Sequence, residues 1–166
     1  MKNIEEFIVK VSEKDIDLLN KKIDLTRWPD EINHRWSHGT DLNFLKELTN
    51  YWRNEFNWRD HEKKINDIGS YKYKTKSGLK LHFLHSKSNN NNAIPLVMTH
   101  GWPGSIQEFL KIIPIIQKNS DMPIDIICPS LPGFGFSDKP KEVGMDSKQI
   151  AILQHELLIA LGYDKY

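Results

Sequence analysis

A single cysteine, Cys128, stands in 166 residues, so no internal disulfide can form and a reducing compartment, the cytoplasm, is the expected location. Long apolar runs are missing as well. The opening Met1-Lys-Asn-Ile-Glu-Glu leads into no apolar stretch, and charges recur every few residues through Asp17. Nothing approaches the ~18 apolar residues that a spanning helix needs, so neither a signal peptide nor a membrane anchor is expected. No charge of one sign dominates: 23 Lys and Arg against 22 Asp and Glu leave a formal charge of +1. That balance gives no footing for nucleic acid, an acidic membrane surface or a polyanionic substrate.

Several catalytic signatures are also lacking. A nucleophile elbow needs G-x-[nucleophile]-x-G on a strand-to-helix turn, and no serine or aspartate here is flanked that way. Gly162-Tyr-Asp-Lys-Tyr166 comes nearest, but has tyrosine where the second glycine belongs and precedes an expected strand. Asp164 therefore reads as a surface residue. Neither His61-Glu62 nor His155-Glu156 extends to H-E-x-x-H, so no zinc site is indicated. His82 and His85 are three apart on an expected strand and point to opposite faces. Cys128 ends a buried strand and reads as a packed, inert thiol. No metal and no cofactor is expected.

What is present divides at about residue 68. Residues 1–68 read as a helical module carrying four of the five tryptophans, at 28, 36, 52 and 58. Ser12 with Asp15 resembles an N-terminal cap, and Ile16, Leu19 and Ile23 fall on one helical face. Thr40 is the expected cap of a second helix, with a stripe of Leu42, Leu45, Leu48 and Trp52. Asn57 is the expected cap of a third, carrying Trp58, Glu62 and Ile65. Such large aromatics bury ~150–250 Å² each, so the module is expected to pack against something larger.

From Tyr71 the period changes to two. Tyr71-Lys-Tyr-Lys-Thr75 and Leu79-Lys-Leu-His-Phe-Leu-His85, joined through Lys76-Ser77-Gly78, read as a β-hairpin. Asn89–Asn92 reads as a surface loop. Ile94–Thr99 is a compact apolar run suited to a strand buried on both faces. A helix over 106–118 is expected next, opened by Ser105 and Glu108 as a capping box. Ile124–Cys128 is a second buried strand, and Asp146 caps a helix that ends at Leu161 before Gly162. Strand and helix in alternation predict an α/β fold with a parallel sheet covered on both sides over residues 69–166. Tyr163–Tyr166 would begin the next strand.

His100-Gly101-Trp102-Pro103-Gly104-Ser105 joins the first buried strand to the capped helix, at the sheet edge where open α/β folds bind ligands. Gly101 and Gly104 let the backbone turn sharply and approach a ligand. A Trp-Pro bond can be cis at modest cost, and N–H groups beside a helix start suit developing negative charge. His100 reads as a brace for this turn. Pro129-Ser-Leu-Pro-Gly-Phe-Gly-Phe-Ser-Asp-Lys-Pro140 follows the second strand at the same edge and lacks the spacing of a phosphate loop.

Together these two segments resemble the α/β-hydrolase epoxide hydrolases of the microsomal and juvenile-hormone branch. The upstream residues Trp36-Ser-His-Gly39, Tyr51-Trp52, Asn57-Trp58-Arg59 with Glu62 and Asn66, and Leu81-His-Phe-Leu-His85 are similar to that branch's N-terminal domain. The resemblance implies a truncated α/β-hydrolase sheet preceded by the Trp-rich module. It also implies a reaction in which an aspartate opens a small apolar epoxide, forming an ester that a His-activated water cleaves to a diol. Within it, the Trp102 N–H would stabilise the oxyanion, a cis Pro103 would fix its direction, and His100 and Gly101 would support the turn. The nucleophile, the base and the cap tyrosines would lie outside these residues, so an isolated N-terminal portion is expected to be inactive and to need a C-terminal half as partner. Another α/β-hydrolase, such as a dehalogenase or esterase, shares His-Gly-x-Pro, although the Trp-rich module argues against it. A non-catalytic fragment or remnant is the reading from a different class.

Overall fold

The computed structural model describes residues 3–32 and 36–166. The alternation from Tyr71 onward does form a hairpin, β2 (Ser70–Lys74) with β3 (Lys80–Ser86), in which Ser70 faces Leu84 and Lys74 faces Lys80. Gly78 takes φ +88° in its turn, a conformation that costs a residue without Cβ nothing. Two further strands carry the apolar runs, β4 (Ile94–Val97) and β5 (Ile124–Pro129). A fifth, β1 (Ile4–Glu6), adds to β2 at the outside. It is three residues long inside a stretch read as helical, too short for a period-two pattern to register.

The order is β1-β2-β3-β5-β4. Only β4 and β5 run parallel, and every other pair is antiparallel. The sheet is therefore mixed and not parallel, because the hairpin adds directly to β5 through β3. A second correction concerns β4. It reads as buried on both faces but is at most half-buried, with Ile94 48% exposed, whereas β5 is buried from Asp125 to Pro129. An apolar run says that side chains seek cover; it does not say what supplies it.

The expected helix 106–118 is broken into a 3₁₀ turn, Ile106–Phe109, and an α-helix after α1 (Glu13–Asp24), α2 (Leu42–Asn54) and α3 (Trp58–Ile68), namely α4 (Ile112–Asn119). Pro114 explains the break. Inside one continuous helix its ring would clash with the carbonyl four residues earlier, whereas in the first turn of α4 its missing N–H costs nothing. The capping box of Ser105 and Glu108 forms as expected. Asp41, not Thr40, caps α2, accepting the Phe44 N–H at 3.0 Å. The last helix, α5 (Ser147–Leu161), runs from Asp146 to Gly162 at φ +93°. Tyr163–Tyr166 is not a strand. The Tyr163 N–H closes α5 by donating to the Leu158 carbonyl at 2.9 Å.

Two compact units result, Met1–Val9 with Lys63–Tyr166, and Lys10–Glu62. In the first, successive residues of β3 and β5 point to opposite faces. Leu84, Ile126 and Cys128 pack with Ile65, Ile106 and Ile113 on one side. Phe83 and Ile127 pack with Leu157 and Leu158 of α5 on the other. Asn66 pins the segment after β1, accepting the Val9 N–H and donating to the Val9 carbonyl. In the second unit, α1 and α2 bury no residue, and Leu48, Tyr51 and Trp52 stay exposed. Its buried contacts are polar. Buried Glu62 accepts from the Val11 N–H, from Trp58 Nε1 at 2.8 Å and from Arg59 Nη1 at 2.6 Å, and Arg59 also pairs with Glu13.

The β4 edge has a measurable consequence. Ile94 and Met98 donate to Pro123 and Ile127, so the alternate Val97 N–H faces outward, while Pro95 offers no donor. An open apolar edge templates pairing with another chain. The isolated chain is expected to bind a hydrophobic dye and to sediment as concentration-dependent oligomers, and Ile94→Lys should restore a monomer. A dye-negative monomer without the substitution would show the edge to be harmless.

Candidate active site

The C-terminal ends of β4 and β5 project two segments side by side. After β4, the chain passes through Met98 and Thr99 into the turn His100–Ser105. The Trp102–Pro103 bond in it is cis. The Gly104 N–H closes the turn on the Gly101 carbonyl at 2.8 Å. A Cβ on Gly104 would meet the Glu108 carboxylate at 1.7 Å, so a side chain there would displace the capping box. Trp102 is 83% exposed, and its backbone N–H donates to no described residue. A free N–H held beside a helix start is a donor waiting for an acceptor.

His100 holds this turn from below. It is buried, and the Leu131 N–H donates to its Nε2 at 3.1 Å. The proton therefore sits on Nδ1, which donates to the Gly101 carbonyl at 3.1 Å. The Phe134 ring lies edge-on at 5.5 Å. With both nitrogens engaged, His100 has neither a free lone pair nor access to act as a base.

The second segment, residues 130–138, is fastened along its length. The Ser130 N–H donates to the His82 carbonyl, and the His82 N–H to Ser137 Oγ, which donates to the Ser130 carbonyl. The Asp138 N–H donates to the Lys80 carbonyl, while Asp138 Oδ2 accepts the Lys80 N–H. Gly135, at φ +52°, would place a Cβ 3.0 Å from Ser130 Oγ. This loop, which taken alone reads as merely Gly/Pro-rich, is thus a fixed wall beside the Trp102 turn.

Beneath the wall lies His82. Its Nε2 is 2.9 Å from Ser70 Oγ and its Nδ1 2.8 Å from Ser130 Oγ. Its ring meets Phe7 and Phe136 edge-on. Burial, with Lys72 nearby, pushes its pKa down to about 3, so the ring is neutral. His85 faces the other side of the sheet. There its Nε2 lies 3.0 Å from Tyr163 Oη, which donates to Asp125 at 2.6 Å. Burial also lowers the His85 pKa, and burial together with the Asp125 bond raises that of Tyr163. The Cys128 thiol, pushed up to about 12 by burial, is unreactive at neutral pH.

The structure thus brings His100, Gly101, Trp102 and Pro103 together with loop 130–138. The serine partners Ser70, Ser130 and Ser137 carry no sequence signal, since a hydroxyl in a loop or strand looks the same paired or free. Among the described residues no group of three His, Cys, Asp or Glu could hold a metal ion, and no helix is long and apolar enough to cross a membrane.

Comparisons with known proteins cover nearly the whole chain. The family described as "Epoxide hydrolase N terminus" matches residues 4–109, and "alpha/beta hydrolase fold" matches residues 94–166. Epoxide hydrolase 1 of Sus scrofa is 35% identical over 99% of this chain and 38% of its own length. Juvenile hormone epoxide hydrolase 2 of Ctenocephalides felis is 33% identical over 99% of this chain and 37% of its own. The crystal structure of the juvenile hormone epoxide hydrolase from Bombyx mori superposes with a TM-score of 0.87 at 30% identity, over 98% of this chain and 45% of that one. The chain thus spans well under half the length of these relatives.

Proposed function

The chain belongs to the epoxide hydrolase family, whose N-terminal region it matches over residues 4–109, and on that premise we propose that it supplies the oxyanion side of an epoxide-hydrolysing site. The observation that carries this reading is the Trp102 N–H, which donates to no described residue and is held at the end of β4 by the His100-braced turn. In the reaction, an aspartate from outside these 166 residues opens the epoxide and becomes an ester. Water attacks the ester carbonyl, and the negative charge that grows on its oxygen is received by the Trp102 N–H. One such donor is worth roughly 10²–10³ in rate. Pro103 and Gly101 shape the turn, and His100 holds it.

The substrate is a small apolar epoxide, and the remaining catalytic groups come from a C-terminal half, in the same polypeptide or a second one. Residues 1–68 serve as the N-terminal module and 69–166 as the start of the hydrolase core. A cytoplasmic setting suits the one buried thiol.

A chimera tests this reading. The 166 residues replace the aligned region of Epoxide hydrolase 1 of Sus scrofa, and diol formation from styrene oxide is followed. Turnover is expected, with His100→Ala lowering kcat about 100-fold, in line with loss of an aligned oxyanion donor. A folded chimera without turnover, or one indifferent to His100→Ala, would remove the assignment.

A further inference from the structure

Two buried histidines hold the start of the same loop from two sides. His100 takes the Leu131 N–H, and one residue earlier Ser130 Oγ lies against His82 Nδ1. The far nitrogen of His82 is tied to Ser70 of β2. From the sheet interior to the Trp102 turn run polar contacts joined by a single peptide bond: Ser70 to His82 to Ser130, then along the chain to Leu131, and on to His100 and Gly101. We infer that His82 is a positioning residue, which sets the place of the Leu131 N–H and, through His100, the aim of the Trp102 N–H. The inference rests on the reading of Trp102 as an oxyanion donor, but the geometry of the run is independent of it.

Three observations support a positioning role over simple core filling. An apolar side chain of similar volume would fill the space beside Phe7 and Phe136 without desolvating two ring nitrogens. Both nitrogens instead meet hydroxyls within 2.9 Å. The His82 main chain also grips the loop, through its carbonyl to the Ser130 N–H and its N–H to Ser137 Oγ. The ring, held neutral by burial, does not gain charge across the physiological range, so the run is not a pH switch but a fixed strut.

The strut can be cut at either end. An asparagine amide takes the place of Nδ1 and a glutamine amide that of Nε2. His82→Asn therefore keeps the Ser130 contact and loses Ser70, and His82→Gln does the reverse. Hydrogen exchange of the 166-residue chain, followed peptide by peptide at low concentration, reads the outcome. In His82→Gln, exchange in 130–138 and at Gly104 in the turn is expected to rise about tenfold, as loss of one buried hydrogen bond shifts a local opening equilibrium. In His82→Asn those segments should stay protected, while β2 and β3 keep their protection in both variants.

Should His82→Gln fail to fold, Ser130→Ala removes the same contact with the ring intact and is expected to loosen the turn likewise. Equal exchange in the Asn and Gln variants would overturn the inference, as would a rise spread evenly over all strands, or an unaltered turn in Ser130→Ala. None of these readings depends on epoxide turnover. An inactive chimera would sink the proposed function and leave this pattern standing.

Discussion

Incubated with styrene oxide, the 166-residue chain on its own is expected to form no diol above the rate in buffer. Covalent opening of an epoxide needs an activated carboxylate, and activation needs a partner base or a tuned pKa. No aspartate in these residues sits on an elbow between glycines. The histidines nearest the candidate site cannot stand in: His82 is sealed under loop 130–138, and both nitrogens of His100 are engaged. A lone oxyanion donor has no ester to act on. Against a working enzyme the difference is at least six orders of magnitude, the low end of enzymatic acceleration. Chiral chromatography of the products over hours would decide it. Enantioselective diol formation that vanishes in His100→Ala would show that a nucleophile has been overlooked.

The other large effect is expected in acid. Burial pushes the pKa of His82 down to about 3 in the folded chain from an ordinary 6.5, so below pH 6.5 the unfolded chain binds the proton that the folded one refuses. Its contribution is fully present above pH 6.5 and is lost as pH falls toward 3, at about 1.4 kcal/mol per pH unit. Between pH 6.5 and 4 the loss is about 3 kcal/mol, a large part of a typical ~5–15 kcal/mol. His85, lowered by burial, acts in the same direction. Glu62 adds to this further down. Burial pushes it up, but the bonds from Arg59, Val11 and Trp58 more than offset that and hold it below the usual carboxylate range. Its stabilisation is thus present above about pH 4.5 and lost as pH falls through its folded value. Urea titrations at pH 7 and pH 4.5 check the sum. His82→Asn, which cannot titrate, should flatten the dependence between pH 6.5 and 4; an unchanged slope would mean that the ring is accessible to protons.

Much of this was legible from the residues. The hairpin followed from period-two alternation around Lys76-Ser77-Gly78, and both ends of α5 from Asp146 and Gly162. The turn at residues 100–105 stood out because two glycines, a proline and a capping box follow an apolar strand. Three features were not legible. β1 is too short to show a period, and it pairs with a strand more than sixty residues away. Pro114 splits the expected helix 106–118 in two, a break that the capping box ahead of it does not announce. The partial exposure of β4 depends on what covers it, information that its own side chains do not carry. At the candidate site, the turn residues were visible, but the serines and His82 that steady the loop were not. Hydrogen bonding between distant positions leaves no periodicity.

The strand order also dictates a timetable. On a ribosome, β2 and β3 emerge together and can close their hairpin at once, since their contacts are local. β4 and the Trp102 turn come next, but the strand that pairs with β4 is β5, which is synthesised after the whole of α4. At about 5–20 residues per second, the turn waits on the order of seconds before Leu131 exists to bind His100. During that interval the apolar residues of β4 are bare on both edges. The turn of the candidate site is thus made before the residue that holds it exists.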